Sequence, residues 1–175
     1  MHSTTSAERP GECRASAPTI AFLLGHPAHF IALGFGAGLA RIAPGTFGTL
    51  VALPIGWLLH MYAGNVGWLL ATAGLTLAGV WAAQRTGRDL GVADHRSIVI
   101  DETAAFLFIL YFTGTDPLRQ AFAFLLFRLF DIVKPPPIRQ LDAAMKNGVG
   151  VVADDFLAAA YTLLVLALGV RLFGS

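Results

Sequence analysis

Apolar residues in this chain come in runs, not in the strict alternation of half-buried strands. The runs fall at Phe47–Tyr62, Val66–Ala83, Ile98–Thr113, Leu118–Phe130 and Phe156–Phe173. Each is several helical turns long, so the pattern predicts an all-α chain. Ala63-Gly64-Asn65 separates the first two runs and predicts a helical hairpin. Residues 20–40 (IAFLLGHPAHFIALGFGAGLA) are apolar but broken by Gly and Pro, and read as an interfacial or re-entrant segment. Residues 1–18 are polar and lack an apolar core ending in a cleavage site; they read as a disordered tail preceding a single domain, 19–175.

Composition identifies the solvent. Hydrophobic residues make up 55% of the 175 and charged residues only 13%, about half the charged share of a soluble domain. With a mean hydropathy of +0.66, the chain has too little polar surface to cover itself in water. The expectation is a polytopic helical membrane protein with about four to five embedded helices. Several runs fall short of the ~20 residues that span a bilayer comfortably, Leu118–Phe130 most of all; thinning of the bilayer or shielding by neighbours accommodates them. A net charge of +1 offers no basic excess for nucleic acid, and nothing indicates a protein partner. The single cysteine, Cys13, lies in the polar tail and has no arginine six positions on, so it does not read as a phosphatase thiol.

Charge placement orients the bundle. If the entrance to the first hairpin is cytoplasmic, Arg41, Arg85, Arg88, Arg96, Arg128, Lys134, Arg139 and Lys146 all fall on that side, against Arg119 and Arg171 on the other. The same threading brings the Gly/Pro-rich stretch 34–49 and the stretches 84–102 and 128–155 to one membrane face. In a bacterium this is the cytoplasmic face of the inner membrane.

Those stretches hold the candidate chemistry. Gly34–Leu50 contains G-x-G-x-G without the preceding strand of a dinucleotide fingerprint. Pro44-Gly45-Thr46 precedes the first strong helix, where Thr46 is expected to cap it and expose amides to a phosphate, or simply to close a turn. Asp101 and Glu102 lie three residues inside an apolar run, where a charge at mid-bilayer costs roughly 2.5–3.5 kcal/mol; they call for a cation, a metal or a watery cavity. Arg128, Asp131 and Lys134 recur at i, i+3, i+6 on one helix face, ending at Pro135-Pro136-Pro137 with Arg139 beyond. Ion pairing at a helix end is the plainer account of that trio. Asp154-Asp155 open the last apolar run, where helix capping would explain them equally well. Taken together, these acids and bases share one side, and hard oxygen donors without a Cys or His cluster suit Mg²⁺ rather than zinc. Of the histidines only His95 lies near the chemistry, and it reads as structural.

GFGAGLARIAPGTFGTL, SIVIDE, FRLFDIVKPPPIR followed by LD, and GVGVVADD resemble, in order and spacing, the signatures of bacterial phosphatidylglycerophosphatase A over roughly residues 30–170. The resemblance implies a Mg²⁺-dependent membrane phosphatase that converts phosphatidylglycerophosphate to phosphatidylglycerol and phosphate. The chain departs from the family pattern at Ala105 (Gly in the family), Pro136 (Trp) and Asn147 (Gly), none a charged position. On this reading Asp101, Glu102, Asp154 and Asp155 hold the metal, and Asp101, Glu102, Asp131 and Asp155 are catalytic. Arg128, Lys134, Arg139 and Thr46 bind the substrate phosphate. The alternatives are a different phosphomonoester, a small transporter using Asp101 and Glu102 as a cation or proton site, and a non-catalytic subunit.

Overall fold

The computed structural model describes residues 17–93, 95–140 and 148–173. Most of the polar tail with Cys13, and Asp94, Asp142, Lys146 and Asn147, lie outside them. The described residues are helical, with no strand. Two short helices, α1 (Ile20–Gly25) and α2 (Pro27–Ala32), lead through a 3-10 segment (Gly34–Leu39) to α3 (Pro44–Tyr62) and α4 (Gly64–Leu90). After an extended passage come α5 (Ile100–Thr113), α6 (Pro117–Val133) and α7 (Gly148–Phe173).

Local chemistry sets these boundaries. Thr19 caps α1 by accepting from the Phe22 amide at 3.2 Å. His26 Nδ1 caps α2 through the Ala28 amide at 3.0 Å, with Pro27 in the first position. Asp116 and Pro117 start α6 in the same way, Asp116 Oδ1 accepting from the Leu118 amide at 2.9 Å. The predicted stop at the proline run holds: α6 ends at Val133, and Lys134, before Pro135, takes a left-handed conformation (φ 45°).

The hairpin predicted from Ala63-Gly64-Asn65 forms, but α3 and α4 pack more on α5 than on each other. Ten of the fourteen residues of α5 are buried, and α3, α4, α6 and α7 surround it. Phe106, Leu107, Ile109 and Leu110 meet Phe127 of α6 in the core, and Trp68 donates its indole N–H to the Leu107 carbonyl at 3.1 Å. At 1.5 Å per residue α5 is only about 21 Å long against ~30 Å of hydrocarbon, and it is sheathed by protein.

Large apolar side chains face outward on the surrounding helices: Trp57, Leu58, Leu70, Leu77, Leu118, Leu125 and Leu168 are all exposed. An apolar exterior around an apolar core is the pattern of a lipid-embedded bundle. Two helices, Gly64–Leu90 and Val152–Leu172, are long and apolar enough to cross a membrane.

Residues 20–40 pack against the second half of α4, through Ala28, Ala32, Ala82 and Ala83. His29 joins the two, its Nε2 lying 2.8 Å from Asp89 Oδ2, which also accepts from Arg85. The G-x-G-x-G stretch has a packing role. A Cβ on Gly38 would sit 2.0 Å from the Ser97 carbonyl oxygen, and one on Gly48 would sit 2.8 Å from that of Val99. The glycines therefore admit the extended 97–99 backbone, whose Val99 amide donates to the Ala32 carbonyl at 2.9 Å. That passage delivers the first turn of α5 to the end of the bundle.

Candidate active site

The odd-numbered helices α3, α5 and α7 begin, and α6 ends, at the same end of the bundle. Between these ends lies a cavity of about 250 Å³. Its walls are Ala43, Pro44 and Gly45 before and at the start of α3, Arg96 and Ile98 from the extended passage, and Asp101 and Glu102 from α5. Arg128, Asp131 and Lys134 come from α6 and its cap, and Asp154 and Asp155 from α7.

Asp101, Glu102 and Asp155 each present a carboxylate oxygen within 4.8 Å of the other two. Asp101 and Asp155 are only 5% and 3% exposed. Asp101 Oδ1, Glu102 Oε2 and Asp155 Oδ2 are buried without a hydrogen-bond partner. At an effective dielectric of ~20, two unit charges at that separation repel by roughly 3–4 kcal/mol. Three ionised carboxylates would then oppose folding by an amount comparable to a whole domain's stability, so the trio must share protons or a cation.

The cations do not remove this imbalance. Arg128 Nη1 lies 2.7 Å from Asp131 Oδ2 and 3.8 Å from Glu102 Oε1, and Lys134 Nζ pairs with Asp154 Oδ2 at 2.5 Å. Arg96 is exposed and has no ion-pair partner among the described residues. Among the described residues, five carboxyl groups face three cations across the cavity, a formal deficit that one divalent cation would fill. Hard, convergent, unpartnered oxygens are donors of the kind Mg²⁺ takes, so the residues fit that ion.

The backbone is shaped to the same end. Ala43 adopts a left-handed conformation (φ 48°) before Pro44, the first residue of α3. Gly45 follows because nothing larger fits: a Cβ there would lie 2.2 Å from Glu102 Oε1 and 3.0 Å from Arg128 Nη2. Both neighbours are ends of flexible side chains, so Gly45→Ala should fold with less than about 1 kcal/mol lost. It should displace the Glu102 carboxylate and lower turnover by about tenfold or more, since misplacement by 1 Å can cost 10²-fold. Activity beside a thermal melt tests this, and wild-type turnover in a folded Gly45→Ala protein would deny Glu102 its position in the site.

The predicted residues divide on inspection. Asp101, Glu102, Arg128, Asp131, Lys134, Asp154 and Asp155 all line the cavity. Asp154 and Asp155 are no helix caps: they lie six and seven residues inside α7, and both are buried. Asp154 stands apart from the carboxylate trio, on Lys134. Thr46 does not cap α3; Ala43 holds that position, and the Thr46 amide donates to the Ala43 carbonyl at 3.0 Å. Neither Thr46 nor Arg139, which is exposed, lines the cavity. His95 is buried, with Nδ1 accepting from the Ser97 amide at 3.2 Å. Gly45 and Arg96 were not foreseen as site residues. Arg96 could have been suspected from its place five residues before Asp101, on the same passage.

The chain is similar to known proteins along most of its length. The family model for phosphatidylglycerophosphatase A matches residues 30–170. A Haemophilus influenzae protein named phosphatidylglycerophosphatase A is 42% identical over 142 residues, 81% of this chain and 87% of that one. An Escherichia coli protein of the same name is 37% identical over 77% of this chain and 78% of its own. A Bacteroides thetaiotaomicron protein named putative phosphatidylinositol-3-phosphatase is 36% identical over 78% of this chain and 89% of its own. No solved structure matches.

Proposed function

Because the chain belongs to the phosphatidylglycerophosphatase A family and is a phosphatase, we propose that it hydrolyses phosphatidylglycerophosphate to phosphatidylglycerol and phosphate with Mg²⁺. The observation that carries this reading is the trio Asp101, Glu102 and Asp155, with unpartnered buried oxygens beside three cations. These three residues would hold the ion. When bound, Mg²⁺ supplies charge neutralisation at phosphoryl oxygens and a more acidic water.

The chain's own groups do the rest. Arg96, with no ion-pair partner among the described residues, and the Arg128 guanidinium bind the phosphate oxygens. Asp154 holds Lys134 toward the same space. Asp131, on the cavity wall beside Arg128, is the proposed acceptor of the proton lost as a water oxygen bonds to phosphorus. The bond between phosphorus and the terminal glycerol oxygen breaks, and that oxygen leaves as the alcohol on taking up the proton that Asp131 accepted. The excess of basic residues at this end supports a cytoplasmic site on a bacterial inner membrane.

The measurement is phosphate release from phosphatidylglycerophosphate in detergent micelles by purified protein. Release should stop with EDTA and return with excess Mg²⁺; release indifferent to EDTA would end the metal reading. The Bacteroides relative's name favours a second substrate, a phosphatidylinositol 3-phosphate. A higher kcat/KM on that lipid would replace the first. A transport role for Asp101 and Glu102 needs access from both faces, and the cavity is built from one end of the bundle.

A further inference from the structure

α3 begins and α6 ends at the catalytic cavity, yet they pack little on each other. α3 leans on α4 and α5, and α6 on α5 and α7. Between them runs an apolar groove of about 450 Å³, lined by Leu50, Leu53, Pro117, Ala121, Phe124 and Leu125. On α3 it begins five residues after Gly45, and on α6 three residues before Arg128. At 1.5 Å per residue these are separations of only about 5–8 Å from the cavity wall. From Arg128 to Pro117 is eleven residues, or about 16 Å, close to the ~15 Å depth of one leaflet's hydrocarbon.

We propose that this groove is the seat of one acyl chain of the lipid substrate, which enters the cavity sideways from the bilayer between α3 and α6. The proposal rests on the lipid-phosphatase reading above and deepens it. A lipid with its phosphate at Arg128 has to send its chains along the apolar surface of the same leaflet. Both walls of this groove belong to helices that reach the cavity, α3 and α6. Its lining is apolar except for Gln120, whose amide donates to the Gly114 carbonyl at 2.7 Å, and Leu125 is 64% exposed along it. A second apolar groove, which includes Ala73, Leu77, Phe108 and Phe156 between α4 and α7, serves as the comparison. α4 and α7 pack directly on each other, and neither α4 nor Phe156 belongs to the cavity wall.

The test compares dioleoyl and dihexanoyl phosphatidylglycerophosphate in detergent micelles, with Ala121→Trp and Leu125→Trp filling the groove and Ala73→Trp filling the other. Both α6 variants point a larger apolar group at an exposed site, so both should fold. On the dioleoyl substrate each should lose about tenfold in kcat/KM, mostly through KM, the loss expected for displacing about two methylenes. On the dihexanoyl substrate they should stay within about twofold of wild type, as Ala73→Trp should on both. Equal losses on the two chain lengths, no loss, or a chain-length effect only in Ala73→Trp would each overturn the proposal. Wild-type protein that releases phosphate from neither lipid would instead count against the substrate reading.

Discussion

Asp155→Asn should yield a folded protein that releases phosphate on the order of 10³-fold more slowly, about 4 kcal/mol of lost transition-state stabilisation, yet melts higher than wild type in the absence of metal. The two effects share one cause. Asp155 meets Asp101 and Glu102 within 4.8 Å in a buried space, so its charge opposes folding until a cation is bound. Asparagine keeps the volume, removes the charge and adds N–H donors that face the neighbouring carboxylates. Asp155 lies within α7, away from its first turn, so no favourable helix-dipole interaction is lost with the charge. A gain of roughly 1–3 kcal/mol is expected, which at about 2–4 °C per kcal/mol is readily seen in a melt. Added Mg²⁺ should raise the wild-type melting temperature through linkage and raise that of the variant much less. A metal-free variant less stable than wild type would mean that the trio is not mutually repulsive. Retained activity would remove Asp155 from the centre.

Arg128→Met is expected to act in the opposite sense on stability while also abolishing turnover. The guanidinium is the buried counter-charge between Asp131, at 2.7 Å, and Glu102, at 3.8 Å, and its side chain is only 14% exposed. Methionine preserves much of the packing of the stem but leaves two acids without that partner. Breaking a buried pair from one side costs about 3–5 kcal/mol. The double variant Arg128→Met, Asp131→Asn should recover part of that loss, because it removes one of the stranded charges, and it should recover no activity. A loss below about 0.5 kcal/mol in the single variant, the range of ordinary surface substitutions, would show that Arg128 does not neutralise these acids.

Particular residues show how far the linear pattern reaches. The apolar runs and their Gly and Pro punctuation located the long helices, because a helix buries or exposes its face at a fixed period. Asp101 and Glu102 stood out because charge within an apolar run is costly enough to need a reason. Lys134 was placed at a helix end because Pro135 excludes the helical conformation before it. Thr46 was misjudged because capping depends on backbone angles: with Ala43 left-handed and Pro44 in the first turn, the helix starts before the threonine. Arg139 lies off the cavity wall because its direction is set beyond the end of α6, where that helix's period no longer applies. Gly45 was visible only as part of a turn before a helix, since its role is to leave room for Glu102 and Arg128.

The cluster of acids and bases at one end of an apolar bundle was therefore determined by sequence alone, through hydropathy, helix length and the alternating threading of successive helices. Which acids form the centre was decided only in three dimensions. Asp101 and Glu102 are neighbours on α5, but Asp155 comes from another helix more than fifty residues later. The 3.6-residue period fixes which side chains share a face within one helix; it says nothing of how two helices are rotated toward each other. That rotation is set by the packing of Phe106, Leu107 and Phe127 around α5 and by the glycines that let residues 97–99 pass. The same packing turns Asp155 to Asp101 and Glu102 and sets Asp154 on Lys134.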